Sequence, residues 1–153
     1  MDDGAHEIRA FALGDIDGTR ELWRATEGIG RGPGDEPAPL ARFLARNPGL
    51  SQVAIAGGAV AGDVVGALLC GHDGRRGFIY RLAVHPDHRR RGLAEEMVRR
   101  ALDGLRAEGI ERCLAFVLRE NGGATEFWTA VGGERHGDLE IYSLPIRPES
   151  RCC

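Results

Sequence analysis

Strand, hairpin and helix patterns are mixed along this chain, so the sequence predicts an α/β (α+β) fold with a mixed sheet. Three observations carry that prediction. Residues 93–108 place Leu93, Met97, Val98, Ala101, Leu102 and Leu105 on one helical stripe, with Glu95, Glu96, Arg99, Arg100, Asp103 and Arg106 opposite. Asp73-Gly74, a strong hairpin signal, separates the apolar runs Val64–Cys70 and Phe78–Val84. An apolar strand, Leu114–Leu118, follows the long helix. The 153 residues suffice for one domain with its own core.

The remaining elements follow in order. Residues 6–12 alternate around Ile8 and read as a first strand. Asp15 is placed to cap a helix whose stripe is Ile16, Leu22 and Trp23. Residues 26–39 are rich in glycine and proline and read as a flexible loop, either a plain surface connection or a substrate-facing flap. A short helix, Leu40–Arg46, ends at Asn47-Pro48-Gly49, and Val53–Ala56 is a further strand. Phe78, Tyr80, Leu82 and Val84 are expected to share one face of their strand. Gly109 is placed to end the long helix, and Asn121–Val131 forms another, closed by Gly132-Gly133. Weak alternation over Leu139–Ile146 predicts a final strand, and residues 147–153 a disordered tail.

Composition narrows the function classes. A net charge of −3 argues against binding duplex nucleic acid through bulk charge. No apolar run reaches the roughly 20 residues a membrane span needs, and the acidic start does not resemble a signal peptide. The expected setting is cytoplasmic, with no membrane and no nucleic-acid partner. Cys70 and Cys113 lie in apolar segments, and Cys152 and Cys153 close the sequence. None has metal-ligand or redox spacing, so no metal is expected.

The segment with chemical content is the strand-turn-helix unit Phe78–Gly109. A helix entrance exposes unpaired amides and partial positive charge, which suit phosphate. Gly92 removes a Cβ from that approach, Ala94 is small, and Arg89, Arg90 and Arg91 add charge. The spacing Arg-x-x-Gly-x-Ala alone also fits a solvated basic turn, or a nucleic-acid patch. Its place after a strand and at the head of a long helix favours a pyrophosphate site. The chain has neither a lysine-bearing P-loop nor a glycine-rich dinucleotide fingerprint after a strand, so ATP and NAD fit less well.

The run from Leu82 to Ala94 resembles the coenzyme A signature of the GNAT acetyltransferases. Asn121, Ala124, Phe127, Trp128 and Gly132 resemble the family's later helix. Within the family the likeness is greatest to the YpeA-like bacterial members. The resemblance implies a mostly antiparallel sheet of six to seven strands flanked by about four helices. Its fourth and fifth strands splay to hold acetyl-CoA. It assigns the backbone of Leu82, Ala83 and Val84 to the acetyl and pantetheine end. The pyrophosphate falls to Arg89, Arg90, Arg91, Gly92, Leu93 and Ala94. Asn121, Ala124, Phe127 and Trp128 form the other wall. Read from residues alone, Asn121 equally suits a helix N-cap, and Phe127 or Trp128 the core.

By the same resemblance the chain is an N-acetyltransferase whose acceptor amine attacks the thioester directly, with a potential homodimer. The family often has tyrosine where this chain has Trp128, and an indole cannot serve as a proton source near neutral pH. Tyr80 is therefore the candidate catalytic side chain, with His72, His85 and Glu134 as other candidate bases. A non-catalytic acyl-CoA-binding or interaction module is the alternative reading. The acceptor has no signature in the sequence.

Overall fold

A computed structural model describes residues 5–26, 32–57, 63–118 and 122–147. Five strands form one sheet in the order β1 (His6–Ala10), β2 (Gln52–Ala56), β3 (Asp63–His72), β4 (Gly77–Val84) and β5 (Cys113–Ala115). The first three pairings are antiparallel and β4–β5 is parallel. That parallel step needs a crossover, which α3 (Leu93–Ala107) supplies. Helices α1 (Ile16–Arg24) and α2 (Pro37–Arg46) lie between β1 and β2 in sequence, and α4 (Gly122–Ala130) follows β5.

Each face of the sheet has its own core. The apolar stripe of α3, from Leu93 to Leu105, packs with Leu50, Ala54, Val65, Leu68, Cys70 and Ile79. The stripes of α1 and α2, including Ile16, Leu22, Trp23 and Leu40, pack with Val53, Ile55, Ala67, Leu69 and Ala83. Full burial of a side chain the size of leucine or methionine stabilises by about 1.5–3 kcal/mol, so these stripes hold helices too short to persist alone.

Five expectations are corrected. The sheet has five strands among the described residues, not six to seven. The Leu139–Ile146 segment joins no ladder, and Leu139, Ile141, Tyr142, Leu144 and Ile146 are exposed. Alternation gives a segment two faces, but a strand exists only where another edge accepts its peptide groups. Likewise the predicted strand Leu114–Leu118 is paired only as Cys113–Ala115. Asp15 does not cap α1 with its side chain. It accepts instead from the Ala12 amide at 2.8 Å and from Arg9 at 2.7 and 3.0 Å.

The fifth correction concerns 26–39. Residues 27–31 lie outside the described residues, but Pro33–Asp35 forms a 3₁₀ turn and α2 already starts at Pro37. Proline at the first helical position costs no hydrogen bond and brings a suitable φ. The hairpin at Asp73-Gly74 is as expected: Gly74 has φ +92°, and Asp73 accepts from the amides of Arg75 and Arg76 at 2.8 and 2.9 Å.

Candidate active site

Strands β4 and β5 run together only over Gly77–Ile79 and Cys113–Ala115. One further bond, from the Phe116 amide to the Ile79 carbonyl at 3.4 Å, ends the contact. Strand β4 continues to Val84, so its edge from Tyr80 onward has no strand partner on the β5 side among the described residues. This is the gap that splayed fourth and fifth strands create. The His85 amide donates to the Val65 carbonyl at 2.7 Å, on the β3 side. The alternation of an antiparallel ladder therefore turns the peptide groups of Val84 toward the gap. There the Val84 carbonyl accepts from Arg89 Nε at 3.1 Å.

A bulge shapes the same stretch. Leu69 pairs with Tyr80 and Ala67 with Ala83, so Arg81 and Leu82 together face Leu68. The extra residue reverses the alternation. Ile79, Leu82 and Val84 pack on the α3 side, whereas Tyr80 and Ala83 pack on the α1/α2 side. The expected common face of Phe78, Tyr80, Leu82 and Val84 is thus broken. Arg81 sits in the left-handed region at φ +56°, which costs a non-glycine residue about 1–2 kcal/mol.

The turn after β4 opens with Pro86–His88 as a 3₁₀ turn, capped by His85 Nδ1, which accepts the Asp87 amide at 3.1 Å. His88 Nδ1 lies 2.9 Å from His6 Nε2 on β1, tying the turn to the sheet. Arg90 and Gly92 both have positive φ, +64° and +75°. Gly92 is the N-cap of α3, and among the described residues no side chain caps the helix, which leaves its first amides without a cap. A Cβ built on Gly92 would meet no atom within 4 Å. Arg89, Arg90 and Arg91 are exposed and form no ion pair among the described residues. The first-turn Glu96 does not neutralise them. Hydrogen bonds from Arg99 and Arg100 engage its carboxylate and pull its pKa down to about 2.

The other sequence-derived candidates divide. Phe127 and Trp128 are half-buried on α4, their rings at 5.1 Å and 81°, against the same core as Leu82 and Val84. Ala124 is half-buried on that helix, and Asn121 lies outside the described residues. Tyr80 is on the opposite face, stacked on Phe116 at 5.4 Å and edge-on to Phe43 at 6.3 Å. Burial pushes its phenol above the ordinary tyrosine value. His72 is at the far end of β4's partner strand, bound to Glu108 at 2.9 Å and to the Gly74 amide at 3.0 Å. His85 is occupied as a cap, and Glu134 is exposed. Burial raises the thiols of Cys70 and Cys113 to about 12 and about 11, so neither is a nucleophile near neutral pH.

Sequence reasoning passed over Arg81 and Asp35, and read Trp23 only as part of the α1 stripe. The Trp23 indole donates to the Arg81 carbonyl at 3.0 Å, and Asp35 pairs with the Arg81 guanidinium at 3.1 Å. An arginine inside an apolar strand was the available signal, since such a charge needs a partner.

A mixed sheet parting over an arginine-rich helix entrance defines the acyltransferase fold of the GNAT enzymes. The comparisons agree. The model of the acetyltransferase (GNAT) family matches residues 16–132. An acetyltransferase of Photorhabdus laumondii is 33% identical over 139 residues, covering 90% of this chain and 93% of its own. One from Sodalis glossinidius is 36% identical over 115 residues, 75% and 78% of the two chains. An aminoglycoside N-acetyltransferase crystallised with CoA superposes with a TM-score of 0.71 at 18% identity, covering 92% and 95%. The PaiA N-acetyltransferase of Thermoplasma acidophilum, in complex with coenzyme A, gives 0.68 at 17% identity, with 82% and 87% covered. The chain belongs to the GNAT family of acetyltransferases.

Proposed function

We propose that this protein binds acetyl-CoA along the open β4 edge and transfers its acetyl group to a primary amine. The observation that carries this reading is the continuity of that edge with the Arg89–Gly92 turn. The Val84 peptide groups, turned toward the gap, lead directly to three arginines without an ion pair among the described residues and to a helix entrance with no side-chain cap. The residues fit a pantetheine diphosphate: a Cβ at Gly92 would meet no atom within 4 Å, and Arg89, Arg90 and Arg91 form no ion pair among the described residues. Acetyl-CoA supplies an activated acetyl group as a thioester.

The chain's own residues have distinct tasks. Leu82 and Val84 offer backbone groups to the acetyl and pantetheine end; those of Ala83, expected to join them, turn by the same alternation to β3, where Ala83 pairs with Ala67. Arg90, Arg91, Gly92, Leu93 and Ala94 hold the pyrophosphate, and Arg89 moves from the Val84 carbonyl toward it. Ala124, Phe127 and Trp128 line the opposite wall, to which the resemblance also assigns Asn121. Tyr80, held protonated by burial, acts as a hydrogen donor on the acceptor side rather than as a base. No further acid is indispensable, because a thiol of pKa about 8.5 leaves as thiolate at pH 7 at a cost of only about 2 kcal/mol. Neutralising the acceptor costs about 4–5 kcal/mol for a lysine-like amine and about 1 kcal/mol for an α-amine.

The acceptor is the amine of a small molecule, a peptide N-terminus or a lysine. A YpeA-like bacterial, cytoplasmic enzyme is the setting this reading assumes. Calorimetry with acetyl-CoA, followed by an amine panel with free-thiol detection, tests it. Saturable binding and thiol release with at least one amine are expected. No binding at millimolar acetyl-CoA would sink it.

A further inference from the structure

The segment 32–36 is fastened at two places. From α1, Arg20 donates through Nε to the Asp35 carbonyl and through Nη2 to the Glu36 carboxylate, each at 3.1 Å. From β4, Arg81 donates to the Asp35 carboxylate through Nε at 3.1 and 3.3 Å and through Nη2 at 3.1 Å. The Asp35 side chain is only 13% exposed, and its Oδ2 also accepts the Gly32 amide at 2.9 Å. Arg81 is gripped at its backbone too, where the Trp23 indole donates to its carbonyl. The residue at the bulge is thus clasped by α1 and by the segment that precedes α2. The next residue, Leu82, begins the stretch assigned to the acetyl end.

The choice of arginine there is informative. Glycine would form a left-handed bulge without strain. Arginine adds strain, and what its side chain gains is the reach to Asp35. We propose that Arg81 and Asp35 are a positioning pair for acetyl transfer. They hold segment 32–36 as a wall against the bulge, so that the acceptor amine enters between that wall, the Tyr80 ring and the open β4 edge. The inference rests on the acetyltransferase reading above. Neither residue belongs to the Arg89–Ala94 turn, so the pair acts on the acceptor and not on the cofactor.

The test uses the full chain, Asp35→Asn and Arg81→Gly, with Asp35→Glu as the conservative variant. Arg81→Gly relieves the backbone and keeps the variant folded, which thermal melting checks. Losing this charge-assisted contact is expected to lower kcat/KM for the best panel amine about tenfold to a hundredfold, mainly through KM. Coenzyme A affinity, and acetyl transfer to hydroxylamine, a nucleophile too small to need the wall, stay within about threefold. Hydrogen exchange at the Gly32 amide accelerates in Asp35→Asn and in Arg81→Gly, and Asp35→Glu recovers part of kcat/KM. An unchanged acceptor KM in either variant, or an equal fall with hydroxylamine, overturns the proposal. A wild-type protein that binds coenzyme A but acetylates no amine overturns the reading beneath it, and the positioning role with it.

Discussion

Replacing Gly92 by glutamate separates the backbone role of the arginine turn from its role toward phosphate. At φ +75° any side chain costs about 1–2 kcal/mol of backbone strain. For a chain of this size that lowers Tm by about 2–8 °C. No clash is added, because a Cβ at Gly92 has no neighbour within 4 Å. The carboxylate then projects into the space assigned to pyrophosphate. Two unit charges about 4 Å apart repel by about 1 kcal/mol in water and about 4 kcal/mol at an effective dielectric of 20. Coenzyme A affinity should therefore fall about fivefold to a thousandfold, read by calorimetry at low salt. Gly74→Glu is the matched control. Gly74 has φ +92°, equally open surroundings, and a place in the hairpin at the other end of β4. It should lose similar stability and keep its coenzyme A affinity. Equal affinities for the two variants would refute the assignment of the turn.

Three further outcomes are expected. Tyr80→Phe should lower kcat by about a hundredfold or more if the phenol donates in the transition state, with little change in coenzyme A affinity. Because burial raises this phenol, activity that depends on its proton should persist past pH 10 in a pH–rate profile. Trp128→Tyr, which restores the residue common in the family, should leave folding intact and raise kcat, measured by thiol release. Asp15→Asn should cost about 1.5–3 kcal/mol at pH 7 by urea unfolding. Burial works against the Asp15 charge, but hydrogen bonds from Arg9 and the Ala12 amide outweigh it and hold the carboxyl below its ordinary value. The stabilisation is complete above the unfolded value near 3.9 and disappears as pH falls through the folded one. The difference between wild type and variant should accordingly shrink at pH 3.

What was legible in the sequence was local. Gly92 at the head of α3, Gly74 in its hairpin and the stripe from Leu93 to Leu105 each declare themselves within a few residues. One turn of backbone decides their conformation. The resemblance joined two such segments, and so pointed to the family and the cofactor turn. What only the tertiary structure decided depends on which edges and faces meet. The bulge at Arg81 arises from register against β3, and it moved Tyr80 to the opposite face from Leu82 and Val84. Asp35 and Trp23 converge on Arg81 across 46 and 58 residues of sequence. The alternation of Leu139–Ile146 found no partner edge among the described residues. Periodicity fixes which way side chains alternate along a segment, while pairing and register depend on chain brought from elsewhere.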